Sequence, residues 1–409
     1  MKTNFILTLA AALALLSSPG CKKPDEGVLP PVSKTPAVTC VQGEAGSVLR
    51  GEAVQVNITN IAETTEVTVK FGKEKTLTQK GPGIVSYAFT TEGLKTVSVT
   101  MEPAEVAKTS WKITVEKLET LQSLAQRLRQ DPKLCLVMCH RANSSDWTIP
   151  ENSLPAIEKC VADKIDIVEN DVYTTKDGFL VVSHDGNINR ETTGSGEIKN
   201  LTLAQIKSVN LKDRNGKATE YKMLTLDEYL DACKGRIYVN IDIGDRIASV
   251  TEVVQTVARK GMTQQVLVYC NTDAKIKEAF KADPDCNVYC YVTGSQVSAL
   301  VSGGKEGCVY WTQCGYNPTV PEASASGSVD SSKKPTTAST VASAVAAGTL
   351  LSVNAIYTLN TSGFYPRNFT VAQVNDIMKT FPACQCIHVD TGAECRKALR
   401  DAGYHVTGE

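Results

Sequence analysis

LCLVMCHRANSSDWTIPENSLPAIEKCVADKIDIVENDVYT, residues 134–174, holds the plan of most of the chain. It opens on an apolar run (134–139) and passes through a polar loop. A stretch with apolar residues at helical spacing follows (152–162), and then a second apolar, β-branched run (166–174). Strand, helix, strand is a βαβ unit, whose two strands pair in parallel because the helix carries the chain back across the sheet. The alternation continues to the C-terminus, with apolar runs at 237–243, 265–270, 287–293, 307–313, 350–357 and 385–389. Amphipathic stretches such as TLDEYLDAC (225–233), DAKIKEAFKAD (273–283) and TVAQVNDIMKT (370–380) lie between most of them. Eight such strands predict an α/β fold, a (β/α)8 TIM-like barrel over 118–409. An open doubly wound sheet would be expected to carry a Gly-rich dinucleotide fingerprint, and the sequence has none.

The preceding segment has a different texture. Between 37 and 116, short alternating runs rich in Val and Thr (EAVQVNITN, TEVTVKFG, LKTVSVTME) are separated by turn signals such as KGPG. This pattern predicts a small antiparallel β-sandwich, similar to the immunoglobulin-like or PKD-like modules of exported bacterial proteins. It holds no acidic pair or histidine in a plausible site and reads as a spacer or adhesion module. Residues 1–20 read as a lipoprotein signal peptide ending at Gly20-Cys21, and 21–36, with four prolines, as an extended tether. Lipidation of Cys21 would place an exported protein on a bacterial membrane. The formal charge of −1, from 43 basic and 44 acidic residues, lacks the basic excess that general nucleic-acid binding requires. Thirteen of the fourteen cysteines follow Cys21, many of them inside apolar strand patterns. No CxxC or zinc spacing occurs, so most read as small buried hydrophobes.

A barrel of this kind gathers its chemistry at the C-terminal ends of its strands. Those ends carry His140-Arg141, then Glu169 and Asp171, then His184-Asp185 after a further short strand, then Asn240 and Asp242. Glu169 and Asp171 are two apart and face the same side of one strand, the lumen. Two lumenal carboxylates repel unless a cation compensates them. Asp242, from the next strand, completes an oxygen-rich site suited to one divalent cation, Ca or Mg.

The spacing HR(x)8PENS, from His140 to Ser153, followed by E-x-D-V-x-x-T-K-D-G-x-x-V-x-x-H-D from Glu169 to Asp185, resembles the glycerophosphodiester phosphodiesterase family. The likeness extends over about 134–400, and the stretch 187–213 resembles that family's small insertion. The resemblance implies that His140 and His184 act as general base and general acid. It also implies that Glu169, Asp171 and Asp242 hold the metal, and that Arg141, with Glu151 close by, holds the phosphate. The implied substrate is a small glycerophosphodiester whose glycerol hydroxyl attacks the phosphate; the alcohol leaves, and water opens the cyclic phosphate. Two other functions stay open: a phospholipase D-like enzyme acting on lipid headgroups, and a barrel that binds phosphodiesters without turnover. The departures from the family are Asp242 where Glu is usual, Gly244 where Lys is usual, and Ala142 where Gly is usual. Arg246 or Lys275 could substitute for the missing lysine. His388 and His405 read as incidental, and Trp147 as a lid contact or simple packing.

Overall fold

The computed structural model describes residues 35–43, 46–51, 53–106, 110–143, 145–243, 248–304, 308–315, 338–356 and 369–408. Cys21, the signal segment, nearly all of the tether, Gly244 and Arg246 lie outside the described residues.

The N-terminal part contains β1 (Ala37–Cys40), β2 (Ser47–Leu49), β3 (Ala53–Thr59), β4 (Glu66–Phe71), β5 (Lys75–Lys80), β6 (Gly83–Ala88), β7 (Gly93–Glu102) and β8 (Ser110–Glu116). They form two sheets, ordered β1-β3-β6 and β2-β8-β7-β4-β5. Alternation sets the inner faces: Val54, Val56 and Ile58 of β3 share one buried cluster with Val67, Val69 and Phe71 of β4 and Trp111, Ile113 and Val115 of β8. The pairing is not wholly antiparallel as expected, because β2 joins β8 in parallel, Ser47 opposite Thr114. The intervening strands supply the long connection that a parallel pair needs.

Next comes α1 (Leu121–Gln130), a helix the strand alternation gave no reason to expect. Thr120 caps it, accepting from the Ser123 amide at 3.2 Å. Its buried Leu121, Leu124 and Leu128 cluster with Leu134, Leu136, Ile167, Tyr238, Leu350 and Cys386, so the helix plugs the barrel's base.

The eight barrel strands fall where the apolar runs placed them. They are β9 (Leu136–Cys139), β10 (Ile167–Thr174), β12 (Tyr238–Asp242), β13 (Val266–Tyr269), β14 (Asn287–Tyr291), β15 (Tyr310–Gly315), β16 (Leu350–Asn354) and β17 (Cys384–Val389). Every neighbouring pair is parallel, and the ring closes through β17–β9 and β9–β10. Lumenal residues Met138, Leu267, Tyr269, Tyr289 and Trp311 fill the interior, so the barrel is a packed core. The extra strand β11 (Leu180–Val182) stands outside the ring. It pairs antiparallel with the end of β10, Thr174 opposite Leu180, and the hairpin returns the chain to the rim at His184.

Around the barrel pack α2 (Leu154–Ala162), α4 (Leu226–Cys233), α5 (Val250–Arg259), α6 (Asp273–Ala282), α7 (Gly294–Gly303), α8 (Ala338–Ala346), α9 (Val371–Thr380) and α10 (Gly392–Asp401), while the short α3 (Leu203–Ser208) belongs to the insertion after β11. The thirteen cysteines after Cys21 are free thiols. Twelve are buried and Cys308 is half-buried. The N-terminal sheets touch the barrel at the base: the Arg50 guanidinium donates to the Lys234 carbonyl at 2.9 Å, and Arg236 reaches the Gly51 carbonyl at 3.4 Å.

Thr225 and Glu228 show how a helix start is fixed here. The Thr225 hydroxyl accepts from the Glu228 amide at 3.2 Å, and the Glu228 carboxylate accepts from the Thr225 amide at 2.8 Å. This reciprocal box satisfies two amides that the first turn of α4 would otherwise leave unbonded. Thr225→Ala should therefore cost about 1 kcal/mol of stability, read as a lower urea midpoint with an unchanged slope.

Candidate active site

Register builds the carboxylate cluster. Between β10 and β12, Glu169 lies opposite Asn240 and Asp171 opposite Asp242. Alternation sends Glu169, Asp171 and Asp242 into the lumen, where one ligand oxygen from each lies within 4.8 Å of the others. Glu169 also accepts from the Arg141 amide at 2.8 Å. Burial pushes its carboxyl well above the usual carboxylate range, and the neighbouring Asp171 and Asp242 charges add to that push. Crowded hard oxygen donors of one charge sign, in a site where desolvation penalises that charge, fit a divalent cation. These three residues would hold it.

His140 and Arg141 leave β9 in a tight 3-10 turn, His140–Ala142. Arg141 and Ala142 both have φ 53°, the left-handed region that favours glycine. Ala142 therefore keeps a backbone shape that a glycine would adopt without strain. The Arg141 Nε donates to His140 Nε2 at 3.2 Å, which leaves His140 Nδ1 as the donor to Asp390 Oδ1 at 2.9 Å. Burial, followed by the Arg141 charge, holds the His140 imidazole well below its ordinary range. The ring is therefore neutral at neutral pH, in a tautomer fixed by two partners.

The Pro-Glu-Asn-Ser motif acquires a physical reading. Asn152 takes φ 56°, a conformation Asn tolerates, and its amide donates to the Arg141 carbonyl at 2.9 Å. Ser153 caps α2, accepting from the Ala156 amide at 3.3 Å. Glu151, between these, is buried and meets Arg141 Nη1 at 3.2 Å, Arg190 Nη2 at 2.7 Å and Arg214 Nε at 3.7 Å. Burial works to raise its carboxyl, but the Arg141 and Arg190 guanidinium groups prevail and hold it down at about 2.

His184 follows β11. Its Nδ1 lies 2.8 Å from Asp185 Oδ1, and Asp185 Oδ2 accepts from Arg190 Nε at 2.7 Å. Glu191 accepts from the Asp185 amide at 2.9 Å and from Arg190 at 2.8 Å, and burial with the nearby Glu151 charge pushes it up to about 8. His184, Asp185 and Glu191 also approach one another closely enough to suggest a metal site. There Arg190 already supplies the positive charge. The His140 and His184 rings stand 6.1 Å apart between centroids, at 87°.

The structure thus brings His140, Arg141, Glu151, Glu169, Asp171, His184 and Asp242 to one rim. It also corrects one sequence expectation. His388 is not incidental: it lies buried in the lumen with its ring centroid 5.6 Å from that of His140. His405 does lie elsewhere, against Asp131 on the surface. Trp147 stacks on Arg214, whose guanidinium carbon is 4.2 Å from the ring centroid. Asp390, Arg190 and Arg214 were not identified from sequence. For Asp390 a signal existed, because it shares the lumenal parity of Cys386 and His388 on the last strand. Lys275 donates to the Ile243 carbonyl at 2.7 Å, so its ammonium sits beside the end of β12.

The Glu151 cluster gives a pH signature. A carboxyl held at about 2 against an ordinary 4.5 contributes stability that is complete above about 4.5 and is lost as pH falls towards about 2. Thermal melts across this window should show Glu151→Gln losing less Tm on acidification than the parent chain, although it starts from a lower Tm at neutral pH. Parallel curves would remove Glu151 as the source of the acid sensitivity.

Residues 140–299 match the profile of the Glycerophosphoryl diester phosphodiesterase family. A glycerophosphodiester phosphodiesterase of Caldanaerobacter subterraneus is 36% identical over 110 residues, 26% of this chain and 44% of that protein. One of Bacillus subtilis is 38% identical over 79 residues, 19% of this chain and 26% of that protein. The chain thus spans less than half the length of these two curated relatives. In the fold comparison, the crystal structure of a glycerophosphoryl diester phosphodiesterase from Parabacteroides distasonis superposes with a TM-score of 0.56 at 17% identity, covering 70% of this chain and 93% of that one. Residues 140–299 carry a domain of the glycerophosphoryl diester phosphodiesterase family.

Proposed function

We propose that the barrel hydrolyses glycerophosphodiesters to glycerol phosphate and an alcohol, with one divalent cation, Ca or Mg, held by Glu169, Asp171 and Asp242. The observation that carries this reading is the pair of perpendicular imidazoles, His140 and His184, at the same rim as three converging carboxylates. The division of labour follows from their partners. Asp390 orients the neutral His140 through Nδ1, so Nε2 can accept the proton of an attacking hydroxyl once Arg141 turns to the phosphate. Asp185 fixes the His184 ring, which returns a proton to the leaving oxygen. Arg141 places a cationic fork beside both His140 and the carboxylate cluster, where a phosphodiester anion would lie. When bound, the cation offsets charge that develops on the phosphate oxygens.

Release of glycerol phosphate, measured in a coupled assay, tests the reading. Turnover should be lost on chelation and restored by Ca or Mg. His140→Ala and His184→Ala should each lower the rate by ~10²–10⁴, and Glu169→Gln with Asp171→Asn should abolish cation binding in a calorimetric titration. A rate near that of the parent in either histidine variant would remove that residue from the mechanism.

We further propose that Cys21 is a lipid anchor, that residues 22–36 are its tether, and that the two N-terminal sheets form a sandwich serving as a spacer. Support comes from the apolar run ending at Gly20-Cys21 and from the single core the two sheets share. Cys21→Ser should move the expressed protein from the membrane to the soluble fraction. Retention in the membrane would refute the anchor.

A further inference from the structure

Beside the histidine pair lies a cavity of about 400 Å³. Trp147, from the loop after β9, forms one wall. The insertion after β11 forms the other, with Arg190, Glu191 and the segment 211–216. Arg141 and Glu151 line the end nearest the reacting centre. Arg214, also in the lining, reaches Asp390, the partner of His140, at 3.6 Å. The cavity therefore continues from the place where the phosphate would lie, and its volume suits a small polar group.

Its charge is uneven. The lining carries Arg141, Arg190, Lys212 and Arg214 against Glu151, Glu191 and Asp213. Asp213 directs one carboxylate oxygen at the amides of Asn215 and Lys217, at 2.9 and 2.8 Å, and so is spent on its own turn. Glu191 is committed to the Asp185 amide and to Arg190, at 2.9 and 2.8 Å. Four cationic side chains thus face three carboxylates, and each of the three is already engaged within the protein. The aromatic wall points the same way. A quaternary ammonium binds best over an open aromatic face, and Trp147 already carries the Arg214 guanidinium at 4.2 Å. A second cation on that ring would lie one ring thickness from a fixed positive charge.

We propose that this cavity receives the leaving alcohol and selects glycerophosphodiesters whose alcohol carries an anionic group, a carboxylate or a phosphate, over those that carry an ammonium alone. The inference rests on the hydrolytic reading above and names its substrate class. Arg190 and Lys212 are the specificity-determining side chains. Arg190 is half-exposed and reaches the cavity from the insertion, and Lys212 stands on its far wall, donating to the Asn189 carbonyl at 3.1 Å.

The test compares kcat/KM for glycerophosphoserine and glycerophosphoethanolamine, which differ by one carboxylate, with glycerophosphocholine as a third substrate. A charge-assisted hydrogen bond of ordinary strength predicts a preference for the serine diester of ~10-fold or more. Lys212→Ala and Arg190→Ala should each shrink that ratio, and added salt should shrink it in the parent chain. Equal or better turnover of the ethanolamine or choline diester would overturn the assignment. So would a serine preference that survives both substitutions unchanged in variants with the parent's circular dichroism. If none of the three diesters releases glycerol phosphate, the hydrolytic reading fails first and the substrate class falls with it. Turnover without the expected order overturns the substrate class alone.

Discussion

One carboxylate, Glu151, holds the rim together. Three guanidinium groups converge on it from segments far apart in the chain: Arg141 at the end of β9, Arg190 just beyond the hairpin, and Arg214 at the close of the insertion. Each arginine makes a further tie at the rim. Arg141 touches His140, Arg190 braces Asp185 and hence His184, and Arg214 reaches Asp390 on the last strand. A buried charge of this kind is tolerated because its opposite charges are fixed around it, and removing one member strands the rest. The relative positions of both imidazoles thus depend on a residue that performs no chemistry in the proposed reaction.

The same rim contains a second group of acids under the opposite regime. Glu169, Asp171 and Asp242 crowd together, and burial with mutual repulsion drives the Glu169 carboxyl upward. Around Glu151 the compensating charge is built into the chain. The Glu169 cluster brings together only acidic side chains, and the compensating charge that fits them is a divalent ion. The two clusters meet at Arg141, whose amide bonds Glu169 and whose side chain bonds Glu151. Any shift in one cluster is felt by the other through a single residue held in a left-handed turn.

Much of this was legible in the sequence because it is local. Apolar runs marked all eight barrel strands, and parity placed Glu169 and Asp171 on one face. Besides α1, two kinds of feature escaped. The helix α7 begins and ends on glycine and has a weak amphipathic pattern, so neither its periodicity nor its composition announces it. Asp390, Arg190, Arg214 and His388 carry local patterns that say little, because their significance lies in pairings across the barrel. His140 meets Asp390 250 positions away in the chain. A single sequence offers no periodicity from which such a contact could be read. Asp242 was found because it stands at the end of the next strand, a neighbour relation that barrel topology supplies, and the structure sets it in register with Asp171.

The helix α1 has a consequence for traffic. Leu121, Leu124 and Leu128 stopper the base, and lumenal aromatics packed edge to face fill the bore above them. Among the described residues the barrel is a cup stopped at its base, so whatever reaches the histidines comes over the rim where the strands' C-terminal ends lie, and whatever is formed there leaves over the same rim. Arrival and departure must alternate, so a molecule lingering at the bottom of the cup bars the next from entering.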